Sequence, residues 1–162
     1  MRNCVNGIMP SKLEAKLFRG DMNAYIEALY KVFRRDFIDN EITYDGKRVD
    51  IIHQTYYNDK ERTFWHLISE GKEDVNRKPI SFRAETLPWA KALIKDNQDC
   101  DRIKKWVKYH DKTKRNRHYI WCIEINYIVI LEDRGKYYKL ITAYPVSENM
   151  TPKYMKDYNK HR

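Results

Sequence analysis

The sequence predicts an α+β domain in which N-terminal helices pack on one face of a C-terminal, twisted antiparallel sheet. Two observations predict it. Apolar residues recur at helical spacing through the N-terminal half, and from Arg117 onward three aromatic and β-branched runs of strand length follow one another. Size agrees with this: at 162 residues the chain suits one domain, since a domain of roughly 150 residues buries about 68–70% of its unfolded surface.

Each element has its own signal. Residues 1–20 form a polar lead-in. Asp21 then caps "MNAYIEALYKVFRRDF", where Met22, Tyr25, Ile26, Leu29, Val32, Phe33 and Phe37 fall on one helical face. "EITYDGKRVDII" predicts two short strands around Asp45-Gly46, a dipeptide that takes the positive φ of a type I′ turn. "NDKERTFWHLISEG" predicts a helix from an Asx-type cap to Gly71, and "EDVNRKP" a charged loop. "RAETLPWAKALIKDN" predicts a further helix, with Pro88 tolerated if its first turn starts near Leu87. Residues 101–114 fit two readings, since Ile103, Trp106 and Val107 suit a helix while "KWVKYH" suits a strand. "RHYIWCIEI", "YIVILED" and "KYYKLITAYPV", separated at Asn126 and at "DRGK", predict a three-stranded meander. The tail "TPKYMKDYNKHR" predicts a basic helix with Thr151 as cap and Pro152 at the first helical position.

The 32 Lys and Arg exceed the 23 Asp and Glu, leaving a net charge of +9, and 13 tyrosines accompany 4 tryptophans. This combination suits a polyanion whose bases stack on aromatic rings, which makes nucleic acid the first partner to consider. Solubility charge on an aromatic-rich fold explains it equally well. Cys4, Cys100 and Cys122 are odd in number and widely spaced, so neither a disulfide framework nor a zinc knuckle is indicated. The N-terminus has no continuous apolar core, and the longest apolar run, "YIVIL", is too short to cross a bilayer. The expectation is a soluble cytoplasmic protein without a membrane segment.

The five histidines form no HExxH or Cys/His cluster, no Asp-x-Asp array suggests a magnesium nuclease, and the five glycines are isolated from any phosphate loop. No metal or cofactor is therefore expected. Cleavage of RNA remains, because the substrate supplies its own 2′-hydroxyl nucleophile. The protein then needs a proton acceptor, a proton donor and cations around the phosphorane. His66 and Arg62 lie one helical turn apart and would share a face, as proton carrier and phosphate clamp. Arg83 precedes a helix N-terminus, where free N–H groups favour a phosphate. His53, at the end of a strand, offers a second imidazole. Thr142 and Tyr144 stand two apart in a strand and present two hydroxyls to one side. For backbone tracking and base stacking, "KKWVKYHDKTKRNRHY" offers Lys104, Lys105, Trp106, Lys108, Arg115 and Arg117, with Tyr109 and Tyr119. Each has an ordinary structural counterpart: a core-edge His66 beside Trp65, a surface ion pair for Arg83, a half-buried Tyr144, a solvated basic loop.

"RTFWHLISEG", "RAETLPWAKALI", the aromatic strands, "LITAYPV" and the basic terminal helix, in that order, resemble the phage-borne branch of the barnase–EndoU–colicin E5/D–RelE nuclease fold. The resemblance spans residues 49–156. It implies helices ahead of a four-stranded antiparallel sheet and a metal-independent RNase, a toxin or effector acting on tRNA or mRNA and countered by an antitoxin or immunity protein. It puts the helix histidine at His66, the basic residue before the next helix at Arg83 and the strand hydroxyls at Thr142 and Tyr144. The N-terminal helix lies outside the pattern, and the acid and base stay unassigned among His66, Tyr144 and His53. The rival expectations are a nucleic-acid-binding module without catalysis and a protein-interaction domain of a mobile element.

Overall fold

Asp21 accepts a hydrogen bond from the Ala24 N–H at 3.0 Å and starts α1, Met22–Phe33, as the cap residue predicts. The computed structural model describes residues 9–69, 82–95, 97 and 101–162. Beyond Phe33 the helix widens into a π-helical turn, Arg34–Ile38, which turns Asp36 and Phe37 inward. Strands β1, Ile42–Tyr44, and β2, Lys47–Asp50, pair across Asp45 and Gly46, whose φ values of 49° and 79° are those of the expected type I′ turn.

The next segment departs from expectation. Asn58 and Asp59, read as a helix cap, take φ of 51° and 57° and form the turn between β3, Thr55–Tyr57, and β4, Lys60–Glu61. Asn and Asp tolerate the left-handed region, so the same dipeptide serves a cap or a turn. Helix α2 is accordingly shorter, Arg62–Ile68. Its predicted end at Gly71 and the loop "EDVNRKP" lie outside the described residues. Residues 51–54 are fastened to its first turn: the Ile52 N–H donates to Thr63 Oγ1 at 2.8 Å and the Arg62 N–H to the Gln54 carbonyl at 2.9 Å. A 3-10 turn, Phe82–Thr86, leads into α3, Leu87–Lys95, with Pro88 in the first turn as expected.

The ambiguous segment is a strand. β5, Ile103–His110, precedes β6, Arg115–Cys122, β7, Tyr127–Asp133, and β8, Tyr137–Pro145, so the meander has four strands where three were read. The sheet has six, in the order β1-β2-β8-β7-β6-β5, and β2 joins β8 in parallel with Arg48 opposite Tyr137 and Asp50 opposite Lys139. Every other pairing in it is antiparallel. A bulge opposite Ile130 and Leu131 adds Ile141 to β8. Helix α4, Thr151–His161, begins at Thr151 itself, one residue earlier than predicted; the Thr151 hydroxyl donates to the Ser147 carbonyl at 3.2 Å.

Alternation along the strands sorts the core into two clusters. Ile103, Ile120, Cys122, Val129, Leu131, Leu140 and Ala143 point to the face covered by α1, α2 and α3. Trp106, Trp121, Ile128 and Ile130 point to the opposite face, where Tyr154 of α4 closes over them. The expectation that the N-terminal helices share one face therefore holds, while the C-terminal α4 lies on the other. The α+β class stands. Among the described residues no helix is long and apolar enough to cross a membrane.

Candidate nucleic-acid interface and active site

On the α4 face of the sheet, one row of side chains crosses five strands. The register aligns Lys108, Arg117, Glu132, Lys139 and Asp50, from β5 through β6, β7 and β8 to β2. Glu132 is the centre of the row and is 0% exposed. A carboxylate so buried requires cations and hydrogen-bond donors, and it has them: two cations, Arg117 Nε at 3.0 Å and Arg134 Nη2 at 2.7 Å, and one neutral donor, the Thr113 hydroxyl at 3.0 Å. Burial pushes the Glu132 carboxyl up, but Arg117, Thr113 and Arg134 together hold it below the ordinary value. Lys139 is depressed by burial and by Arg134, Arg115 and Arg117, partly offset by Glu132. One carboxylate thus organises several cations without neutralising them, and the half-face favours an incoming anion.

At the β2 end of the row, Asp50 Oδ1 accepts from the Ile51 N–H at 2.8 Å and lies 2.6 Å from His53 Nε2. Arg48 Nη1 lies 3.4 Å from Asp50 Oδ2. Burial raises the Asp50 carboxyl, while the Ile51 N–H, His53 and Arg48 lower it by more, leaving it below the usual range.

The residues predicted to bind nucleic acid separate by strand parity. Lys104 lies over the Tyr158 ring of α4 at 4.4 Å, and Lys105 points to the other face, over Tyr44 at 5.1 Å and bonded to Asn97 at 3.0 Å. Trp106 is 3% exposed and stacked on Tyr119 at 4.9 Å beneath α4, so it is core and not a platform for bases. Lys108 bonds Asp157 at 3.1 Å, Arg115 is exposed, and Arg117 is held by Glu132. Arg48, Arg134 and Lys139 share the open half-face and were missed. One signal was available: Glu132 interrupts an apolar strand, and a carboxylate there calls for cations on the neighbouring strands.

The predicted catalytic residues fall around α2, the Phe82–Thr86 turn and β8, three elements packed on one another. Along α2 every residue is buried except Arg62 and His66, which are half-buried and share a face as the spacing predicts. Arg62 lies over the Tyr56 ring at 5.4 Å. Arg83, within the 3-10 turn, stacks on the Tyr144 ring at 4.6 Å. Thr142 and Tyr144 do share a face, opposite Ile130 and Ile128. The Tyr144 hydroxyl, however, is hydrogen-bonded to the Tyr154 hydroxyl of α4. His53 stands with Asp50.

Among the described residues no group of three His, Cys, Asp or Glu side chains is arranged to hold a metal ion. Cys122 is a buried thiol raised by its burial; Cys4 and Cys100 lie outside the described residues. Fold and site together define an α+β domain with an organised cationic half-face and an aspartate–histidine pair at its border. No family model, curated protein or solved structure matches the chain.

Proposed function

We propose that the chain is a metal-independent endoribonuclease that cleaves RNA by attack of the 2′-hydroxyl on the adjacent phosphate. The observation that carries this reading is the cationic half-face organised by Glu132. Its cations track the RNA backbone. Arg83, Arg62 and Thr142 engage an adjoining phosphate, and an imidazole carries the proton. Cytoplasmic action on tRNA or mRNA, an origin in a phage or mobile element, and an antitoxin or immunity partner belong to the same proposal. Incubation of the protein and its His66→Ala variant with total RNA in EDTA tests it. Cyclic-phosphate ends from the wild type are expected; ends in equal amount from the variant would leave the proton to another imidazole, and intact RNA in both reactions would sink the enzymatic reading.

A second reading has its own observation. The Tyr144 hydroxyl is engaged by Tyr154 and Trp106 is buried, which leaves a charged surface with less chemistry than the residue types alone suggest. A module that binds nucleic acid without cutting it uses that surface as it stands. RNA retained in a gel shift, uncut, with affinity falling steeply as salt rises, is its signature.

A further inference from the structure

We infer that Asp50 and His53 form the proton-accepting centre of the open sheet face, with His53 taking the 2′-hydroxyl proton of an RNA strand laid along the row from Lys108 to Asp50. The inference rests on the ribonuclease reading above and assigns the base that reading leaves open. Three features of the pair support it.

The first is orientation. The imidazole is fixed through Nε2 by Asp50 Oδ1, and Asp50 is itself fixed by the Ile51 N–H and by Arg48. An ionised carboxylate on one ring nitrogen selects the tautomer with the proton there and leaves the other nitrogen's lone pair as base. The second is access. The His53 side chain is 62% exposed while Asp50 is 20% exposed, so the ring meets solvent and its support is shielded. Among the described residues Nδ1 makes no hydrogen bond. The third is place. Asp50 stands opposite Lys139 in the parallel β2–β8 register, and neighbouring strands run about 4.8 Å apart. Lys139 is followed by Glu132 with its two arginines. A phosphate held over Lys139 therefore has an oriented imidazole at its edge. Residues 51–54 are fastened to α2, so this imidazole is carried on an anchored segment.

In the step, His53 Nδ1 accepts the 2′-hydroxyl proton as the 2′-oxygen bonds to phosphorus. The bond from phosphorus to the 5′-oxygen breaks, the leaving oxygen takes a proton from solvent, and the imidazolium returns its proton to solvent. No oxidant or further reactant is needed. Asp50 is a positioning residue, and Lys139 steadies the charge on the phosphorane.

The test is cleavage of a labelled single-stranded RNA by the wild type, His53→Gly and Asp50→Asn, with the glycine variant also assayed in added imidazole. His53→Gly is expected to lower kcat by about 10²–10⁴-fold at an RNA affinity within about threefold of wild type, with free imidazole restoring part of the rate. Asp50→Asn is expected to lower kcat with KM unchanged. A wild type that cuts and a His53→Gly variant equally fast would overturn the inference and leave the ribonuclease reading standing. Loss of activity without rescue by imidazole, or in step with lost RNA affinity, would also overturn it. A wild type that leaves the RNA intact removes both.

Discussion

Strands β5 to β8 present one face to two different environments. Toward α4 that face is aromatic and closed: Trp106, Trp121 and Tyr154 pack together, and Trp121 Nε1 donates to Asn126 Oδ1 at 2.9 Å. Toward β2 the same face is charged and open, with Arg117, Glu132 and Lys139 in one row. The boundary is a single step along each strand, from Tyr119 to Arg117 and from Ile130 to Glu132. One half holds the helix and the other half offers charge, so stability and ligand binding can be altered separately on a shared scaffold.

Substitutions on either side should keep to their half. Trp121→Ala removes the centre of the aromatic half and should cost about 3–5 kcal/mol in denaturant unfolding. A loss under about 1 kcal/mol would mean that α4 is not held by this cluster. Glu132→Gln keeps the shape but leaves Arg117 and Arg134 facing a neutral amide, for about 2–3 kcal/mol at neutral pH. The sign of its pH dependence follows from its lowered carboxyl. Its contribution is present above the ordinary value of 4.5 and disappears as pH falls through the lower folded value. Urea midpoints should thus fall as pH drops below about 4.5 for the wild type and less steeply for the variant; parallel curves would remove Glu132 from the account. Lys104→Ala, which gives up only a cation over the Tyr158 ring, should cost about 0.5 kcal/mol and leave the salt dependence of RNA binding as it was. A shallower salt slope would carry the binding surface across to the α4 side.

Legibility in the sequence varied with the range of the interaction. Helix α1 was readable because its cap and apolar stripe lie within one stretch, and β6 to β8 because three aromatic runs and their turns do. Strand β5 was ambiguous for a physical reason. It is the edge of the sheet, and the lysines that guard an edge interrupt the alternation by which a strand is recognised. The start of α2 was misplaced because Asn58 and Asp59 accept positive φ as readily as they cap. The parallel seating of β2 on β8 had no local signal at all. In the site, residue types could be chosen one by one, but companionship depends on register between distant strands, and a shift of one residue reverses every face. Trp106 was therefore taken for a surface ring, while Arg134, Lys139 and Asp50 passed unnoticed. Thr142 and Tyr144, two apart in one strand, needed no register and were paired correctly; the partner of Tyr144 sits on another element and was not foreseen.

The parallel pairing of β2 with β8 also orders events in time. Arg48 meets Tyr137 across 88 residues of intervening chain, and closing so long a loop carries an entropic cost. Pairings of this range are slow relative to hairpins. As the chain leaves the ribosome, the β1–β2 hairpin can form at once, yet its outer edge waits until the last antiparallel strand has been made. Asp50 gains Lys139 as a neighbour only at that moment. The charged row is thus among the last features to assemble, and a nascent chain carries its basic residues without the surface that would make them act together.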